Sequence, residues 1–189
     1  MPKIFITGRP EIDRLLEKDP LALVIGMLLD QQVPMEWAFR GPFTLQERLG
    51  SLDAAEIAAM PVESLEATFK EKPALHRYPA SMARRTHELC RHVVEHYGGD
   101  AKKIWKGTKD PAVAYQRICA LPGFGIDKAQ IFLAMVGKRL NAAPPGWERF
   151  AGRFAGEGYV SVADIDGPEA ITFVRDHKKA MKAASKSAK

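Results

Sequence analysis

Apolar positions recur at helical spacing along most of the chain, and prolines and glycines cut the pattern into many short segments. The run "LALVIGMLLDQQ" is apolar nearly all round, which predicts a buried central helix, with Asp19 as its cap and Pro20 in its first turn. "PMEWAFR" predicts a helix that breaks at Gly41-Pro42, and "FTLQERLG" another that ends at its glycine. "DAAEIAAM" and "PVESLEATFKE" read as short helices begun by Asp53 and Pro61. From Pro79 to Tyr97, Met82, Leu89, Cys90, Val93, Val94 and Tyr97 form one apolar stripe, with Arg84, Arg91, His92 and Glu95 opposite. Asp110-Pro111 starts "PAVAYQRICA", and "KAQIFLAMVGKR" forms a further helix. "NAAPPGWERFAGRFAGEG" predicts a connection around one short helical turn. "PEAITFVRDHKKAMKAA" predicts a last helix ending in a frayed basic tail. Only "KIFIT" reads as extended, and no internal repeat is visible. The fold class expected is all-α.

At 189 residues, 46% hydrophobic and 27% charged, the chain is long enough for one domain or a compact two-lobed one. A net charge of +5 mildly favours polyanionic partners. No apolar run reaches the roughly 18 residues of a membrane span, and the start "MPKIFITGRPEIDR" lacks a signal-peptide layout. The two cysteines, Cys90 and Cys119, suggest no disulfide framework, and no Cys/His spacing suits zinc or an iron–sulfur cluster. His87, His92 and His96 fit a solvated helix face better than a metal site. A cytoplasmic, monomeric protein without contact to membranes is expected.

The stretch "LPGFGIDKAQ", Leu121 to Gln130, joins two helices through a pair of glycines. A preceding strand and a GKS or GKT run are both missing, which excludes the dinucleotide-binding and P-loop contexts. Glycines admit positive φ and close approach, and the next helix starts with free amides that favour an anion. A backbone phosphate held there, or an ordinary helical hairpin with a tight turn, both fit these residues.

"CALPGFGIDKAQIFLAMV" resembles the helix–hairpin–helix of the HhH-GPD base-excision DNA glycosylase superfamily, and "LVIGMLLDQQVPMEWAF" resembles its buried helix and gap-facing loop, in the same order. The resemblance runs from about Asp19 to Leu140. It implies a two-lobed all-α architecture: a helical bundle over 19–140 containing the hairpin at 111–139, and a second lobe made of 1–18 with 141–189. It implies double-stranded DNA as partner, with Leu121, Pro122, Gly123, Phe124, Gly125 and Lys128 on a phosphate through the backbone amides of 123–128. Carbonyls of Cys119, Leu121 and Phe124 would hold a monovalent cation. Gln32, next to Gln31, would fill the hole left by a flipped nucleotide. No other cofactor is implied, since the cysteine cluster of some branches is missing.

The family aspartate that faces the sugar cation has no counterpart, because Asn141 to Gly146 contain no carboxylate. Cleavage through a cation-like transition state needs a nearby negative charge, and Glu148, then Asp30, are the nearest substitutes. Asp127 stands where lyases of this superfamily carry lysine, with Lys128 one step on, so a helix would turn Lys128 elsewhere. Trp37 and Trp147 are candidates to stack on an extruded base. The function implied is a monofunctional DNA N-glycosylase. The alternative is a non-catalytic protein that recognises damaged or distorted duplex.

Overall fold

A computed structural model describes residues 4–188, and among them there are only helices, turns and loops, with no strand. The α-helices are α1 (Pro10–Lys18), α2 (Pro20–Leu29), α3 (Met35–Leu49), α4 (Ala54–Ala59), α5 (Val62–Lys70), α6 (Pro79–Tyr97), α7 (Lys103–Lys106), α8 (Pro111–Cys119), α9 (Ile126–Lys138), α10 (Glu148–Ala151) and α11 (Pro168–Ser187). Two 3₁₀ turns lie at Gly152–Ala155 and Val162–Asp164. Aspartates start three of the helices as the sequence predicts. Asp19 accepts from the amides of Leu21 and Ala22, Asp53 from Glu56 and Asp110 from Ala112. Gly50 and Gly98 end α3 and α6 in the left-handed conformation.

Helix α2 is the hub. Every residue from Leu21 to Leu29 is buried, and the helix packs against α1, α3 and α6. Around it, Phe39, Phe69, Trp105 and Phe132 are the largest buried side chains of one continuous core. No helix of the described residues is long and apolar enough to cross a membrane.

Four expectations are corrected. Helix α3 runs through Gly41-Pro42 without a break. Pro42 forfeits one intrahelical bond, but both residues are buried, and a Cβ on Gly41 would sit 2.5 Å from Leu29 Cδ1. Close packing on α2 outweighs the local cost of an interior proline, about 3 kcal/mol. Helix α1 was not foreseen, although Pro10 at its start and Ile12, Leu15 and Leu16 at helical spacing carry the signal. Of "KIFIT", Lys3 lies outside the described residues. Ile4 to Thr7 form no strand, since the Asp13 carboxylate accepts from the Thr7 amide at 2.9 Å and its hydroxyl at 2.8 Å, holding the segment as a bend with Ile4 and Ile6 buried. The basic tail continues α11 as helix to Ser187 rather than fraying. Helix α1 packs on α2 and α3, and α9, α10 and the 3₁₀ turns pack together.

Candidate nucleic-acid interface

Helices α8 and α9 form the expected hairpin, and its two glycines differ. Gly123 has φ +83°, and a Cβ there would lie 2.5 Å from Leu28 Cδ1 on α2. Gly125 has φ −92°, and nothing stands within 4 Å of its Cβ position. Phe124 turns inward onto Phe132, ring centroids 5.9 Å apart, and Leu121 is buried beside it. Gly125 is the N-cap of α9 with no side-chain cap, and the first helical bond runs from the Ala129 amide to the Gly125 carbonyl. The amides of Gly125, Ile126, Asp127 and Lys128 are therefore free to meet an outside acceptor. Ile126, 70% exposed, stands beside them. Asp127 is exposed too and pairs with Arg153 at 3.5 Å, which offsets its charge at this helix end.

The Lys128 side chain takes another course. Its Nζ donates to the carbonyls of Met27 at 2.6 Å and Asp30 at 3.1 Å, at the C-terminus of α2. Burial pushes its pKa down to about 8, with the Asp30 carboxylate opposing the shift and Lys178 and Arg85 adding to it. The ammonium is thus spent on α2, and the backbone amide of Lys128 is the group left free at the turn. Two more side chains close the same helix end. His76 Nε2 donates to the carbonyls of Leu29 (3.1 Å) and Gln31 (3.0 Å), while its Nδ1 accepts the Tyr78 amide (3.0 Å). Those contacts fit the neutral Nε2–H tautomer, and burial lowers the ring's pKa. Gln31 folds back, donating from Nε2 to the Leu28 carbonyl at 2.9 Å and accepting from Arg85 at 3.0 Å. Gln31 is thus a clamp.

Held this way, the next residue is forced outward. Gln32 is exposed and adopts φ +57°, the left-handed region that a residue with a long side chain seldom occupies. Such a conformation costs on the order of 1–3 kcal/mol and persists where the surroundings fix it. A cavity of about 510 Å³ opens beside it, lined by Asp30, Gln31, Gln32, Val33, Pro34, Arg77, Lys178 and Lys182. Asp30 is thereby the candidate carboxylate inside the cavity, with its Oδ2 3.7 Å from Lys178 Nζ. Glu148 is exposed at the first position of α10 and is not among the lining residues. Helix α10, which carries Glu148, packs on α8 and α9.

The tryptophans also separate. Trp37 is 36% exposed, donates to the Ala74 carbonyl at 3.3 Å, and lies against His76 with centroids 6.4 Å apart. It belongs to the same surface as the Gln32 loop. Trp147 instead covers Gly137 on α9, where any Cβ would overlap its ring. Its ring packs on α9. Cys90 and Cys119 are free thiols, and burial raises the Cys90 pKa to about 12. Among the described residues no group of His, Cys, Asp and Glu could hold a metal ion.

No family model and no curated protein matches the chain. Among solved structures it is similar to a non-covalent endonuclease III–DNA complex, at 18% identity over 88% of this chain and 78% of that one, with a TM-score of 0.48. A trapped endonuclease III–DNA covalent intermediate, an estranged-adenine complex, is similar at 18% identity and the same coverage, with a TM-score of 0.46. At these values the likeness stands beside the geometry without adding to it.

Sequence reasoning missed His76, Arg77, Arg85 and the cations of α11. His76 had a faint signal, a histidine in the Pro-containing loop between α5 and α6. The α11 cations were visible as a basic tail, but not which wall they would face.

Proposed function

We propose that the protein binds duplex DNA at the α8–α9 turn and takes one nucleotide out of the stack beside Gln32. The observation that carries this reading is the adjacency of two features. Uncapped amides at α9 suit a phosphate, and Lys128, reaching from that helix to the end of α2, ties them to the loop that projects Gln32. A long amide at that place can occupy the hole left by a departed base. Carbonyls of Cys119 and Phe124, to which no backbone amide donates, together with that of Leu121, would hold a monovalent cation in the turn, where it would add positive charge near the phosphate.

For chemistry, the reading is a monofunctional DNA N-glycosylase. Asp30, which lines the cavity beside Gln32, is the carboxylate we assign to stabilising a sugar cation. Asp127 at the lyase position and the two carbonyl bonds of the Lys128 ammonium speak against an amine nucleophile. A second reading, a non-catalytic reader of distorted duplex, is favoured by one contact: Lys178 already neutralises Asp30.

The test compares wild type with Gln32→Ala and Asp30→Asn on intact duplex, abasic duplex and duplexes carrying alkylated, deaminated or oxidised bases. Gln32→Ala should lose affinity for abasic DNA more than for intact duplex. Asp30→Asn should slow single-turnover base release by a factor on the order of one hundred, as loss of one preorganised charge does elsewhere. Borohydride should trap no adduct. Equal losses on both duplexes would remove Gln32 from the gap, and no base release from any lesion would leave the non-catalytic reading standing.

A further inference from the structure

Helix α11 carries Arg175, Lys178, Lys179, Lys182 and Lys186, and their spacing puts all five within an arc of roughly 100° over roughly 16 Å of helix. The helix is ordinary elsewhere on its circumference, with Ala170 and Val174 buried and Glu169 and Asp176 off the stripe. Its position makes the stripe consequential. Lys178 and Lys182 line the cavity beside Gln32 together with Arg77. A second cavity of about 420 Å³ adjoins it, sharing Val33, Pro34, Lys178 and Lys182 and adding Met35, Glu36, Arg175 and Lys179. The two form one trough, with the Gln31–Pro34 loop and the first residues of α3 on one side and the cationic face of α11 on the other.

Two ion pairs cross the trough, Arg175 to Glu36 and Lys178 to Asp30 at 3.7 Å. They fix α11 against the loop without using up the stripe, because Lys179, Lys182 and Lys186 make no side-chain ion pair among the described residues. Uncompensated, parallel ammonium groups repel one another unless a polyanion lies between them.

We infer that α11 is a second phosphate-binding wall, opposite the α8–α9 turn across Gln32, and that its lysine stripe holds the phosphodiester backbone of nucleic acid running through the trough. The inference rests on the DNA-binding reading above. The stripe is as long as roughly five base-pair steps of duplex, enough to touch several phosphates at once. Its contacts are charge to backbone, so they add affinity and salt dependence with no sequence preference.

The test measures duplex affinity against salt for wild type, Gly125→Ala, the pair Lys179→Ala/Lys182→Ala, which leaves both ion pairs in place, and a control pair Lys18→Ala/Lys106→Ala in a separate cavity. Alanine keeps α11 helical, and circular dichroism checks it. The α11 pair should lower affinity about tenfold or more at moderate salt and reduce the slope of log affinity on log salt by about 2, whereas the control pair should do much less. Wild-type affinity and slope in the α11 pair, with Gly125→Ala still weakened, would overturn the second wall and leave the hairpin reading intact. Equal losses in both pairs would reduce the effect to net charge and overturn it as well. A wild type without salt-dependent duplex binding would remove the parent reading instead. Vesicles of anionic phospholipid are the last arm: binding to them that needs Lys179 and Lys182, with DNA binding unaffected, would reassign the stripe to membrane surfaces.

Discussion

Gly123 and Gly125 stand two residues apart in one turn, and an added methyl meets different things at each. At Gly123 it meets Leu28 and a φ of +83°; at Gly125 it meets open space at a φ any residue adopts. Gly123→Ala should therefore destabilise the fold, by about 1–2 kcal/mol for the left-handed backbone and more for the overlap with α2. Gly125→Ala should leave the thermal midpoint within a degree or two and weaken duplex binding, because its methyl occupies the space a phosphate needs. Thermal unfolding and binding measured on both variants decide the matter. A stable Gly123→Ala, or a Gly125→Ala that binds as wild type does, would contradict it. The sequence shows the glycine pair but not this division, since a close approach between α2 and the turn is a tertiary fact. The same limit applies to Gln32. Its identity is legible, but its left-handed backbone depends on His76, some 45 residues away, and on Lys128, some 100 residues away.

Helix starts were the best-read features, because an aspartate before a helix acts through its own neighbouring amides. The C-terminus of α2 was the worst-read, because its carbonyls are closed by side chains from distant elements. His76 is the centre of that closure, and it gives the loop a dependence on acidity. Its pKa in the fold lies below the ordinary histidine value, so the unfolded chain binds the proton first as pH falls. The stability this neutral ring contributes is present above about 6.5, the unfolded value, and is lost as pH drops from there through the folded pKa. Denaturant unfolding across that range should show wild-type stability falling more steeply than that of His76→Gln, which has no proton to take up. His76→Gln should also be less stable at neutral pH by about 1–3 kcal/mol if the amide fails to reach both carbonyls. Parallel pH profiles would show that the ring does not control this loop.

At the scale of the molecule, Lys128 joins the hairpin to the hub, and the two halves of the site stay in register through it. Periodicity predicted that its side chain points away from that of Asp127, and packing shows where it goes. Its ammonium is held among α2 carbonyls, near Asp30, at a cost set by burial, and its pKa of about 8 lies below that of an unfolded lysine. Below pH 8 both states are protonated and the penalty is constant. Between about 8 and the unfolded value of roughly 10.4 the folded protein has lost its proton while the unfolded chain keeps it, so this group's contribution to stability rises with pH. The neutral amine still has two hydrogens to donate, which keeps the joint closed. Lys128→Met removes both charge and donor, so the variant should lose the rising contribution and show a flatter or more steeply falling profile over pH 8–10 than wild type. Denaturant unfolding at several pH values reads the difference, and a carbon-13 NMR titration of the lysine side chains should find one midpoint near 8. An identical pH dependence in wild type and Lys128→Met would mean that this lysine sits in water and that the hairpin and the Gln32 loop are held together by apolar packing alone, with Leu28 against Gly123 as the contact that remains.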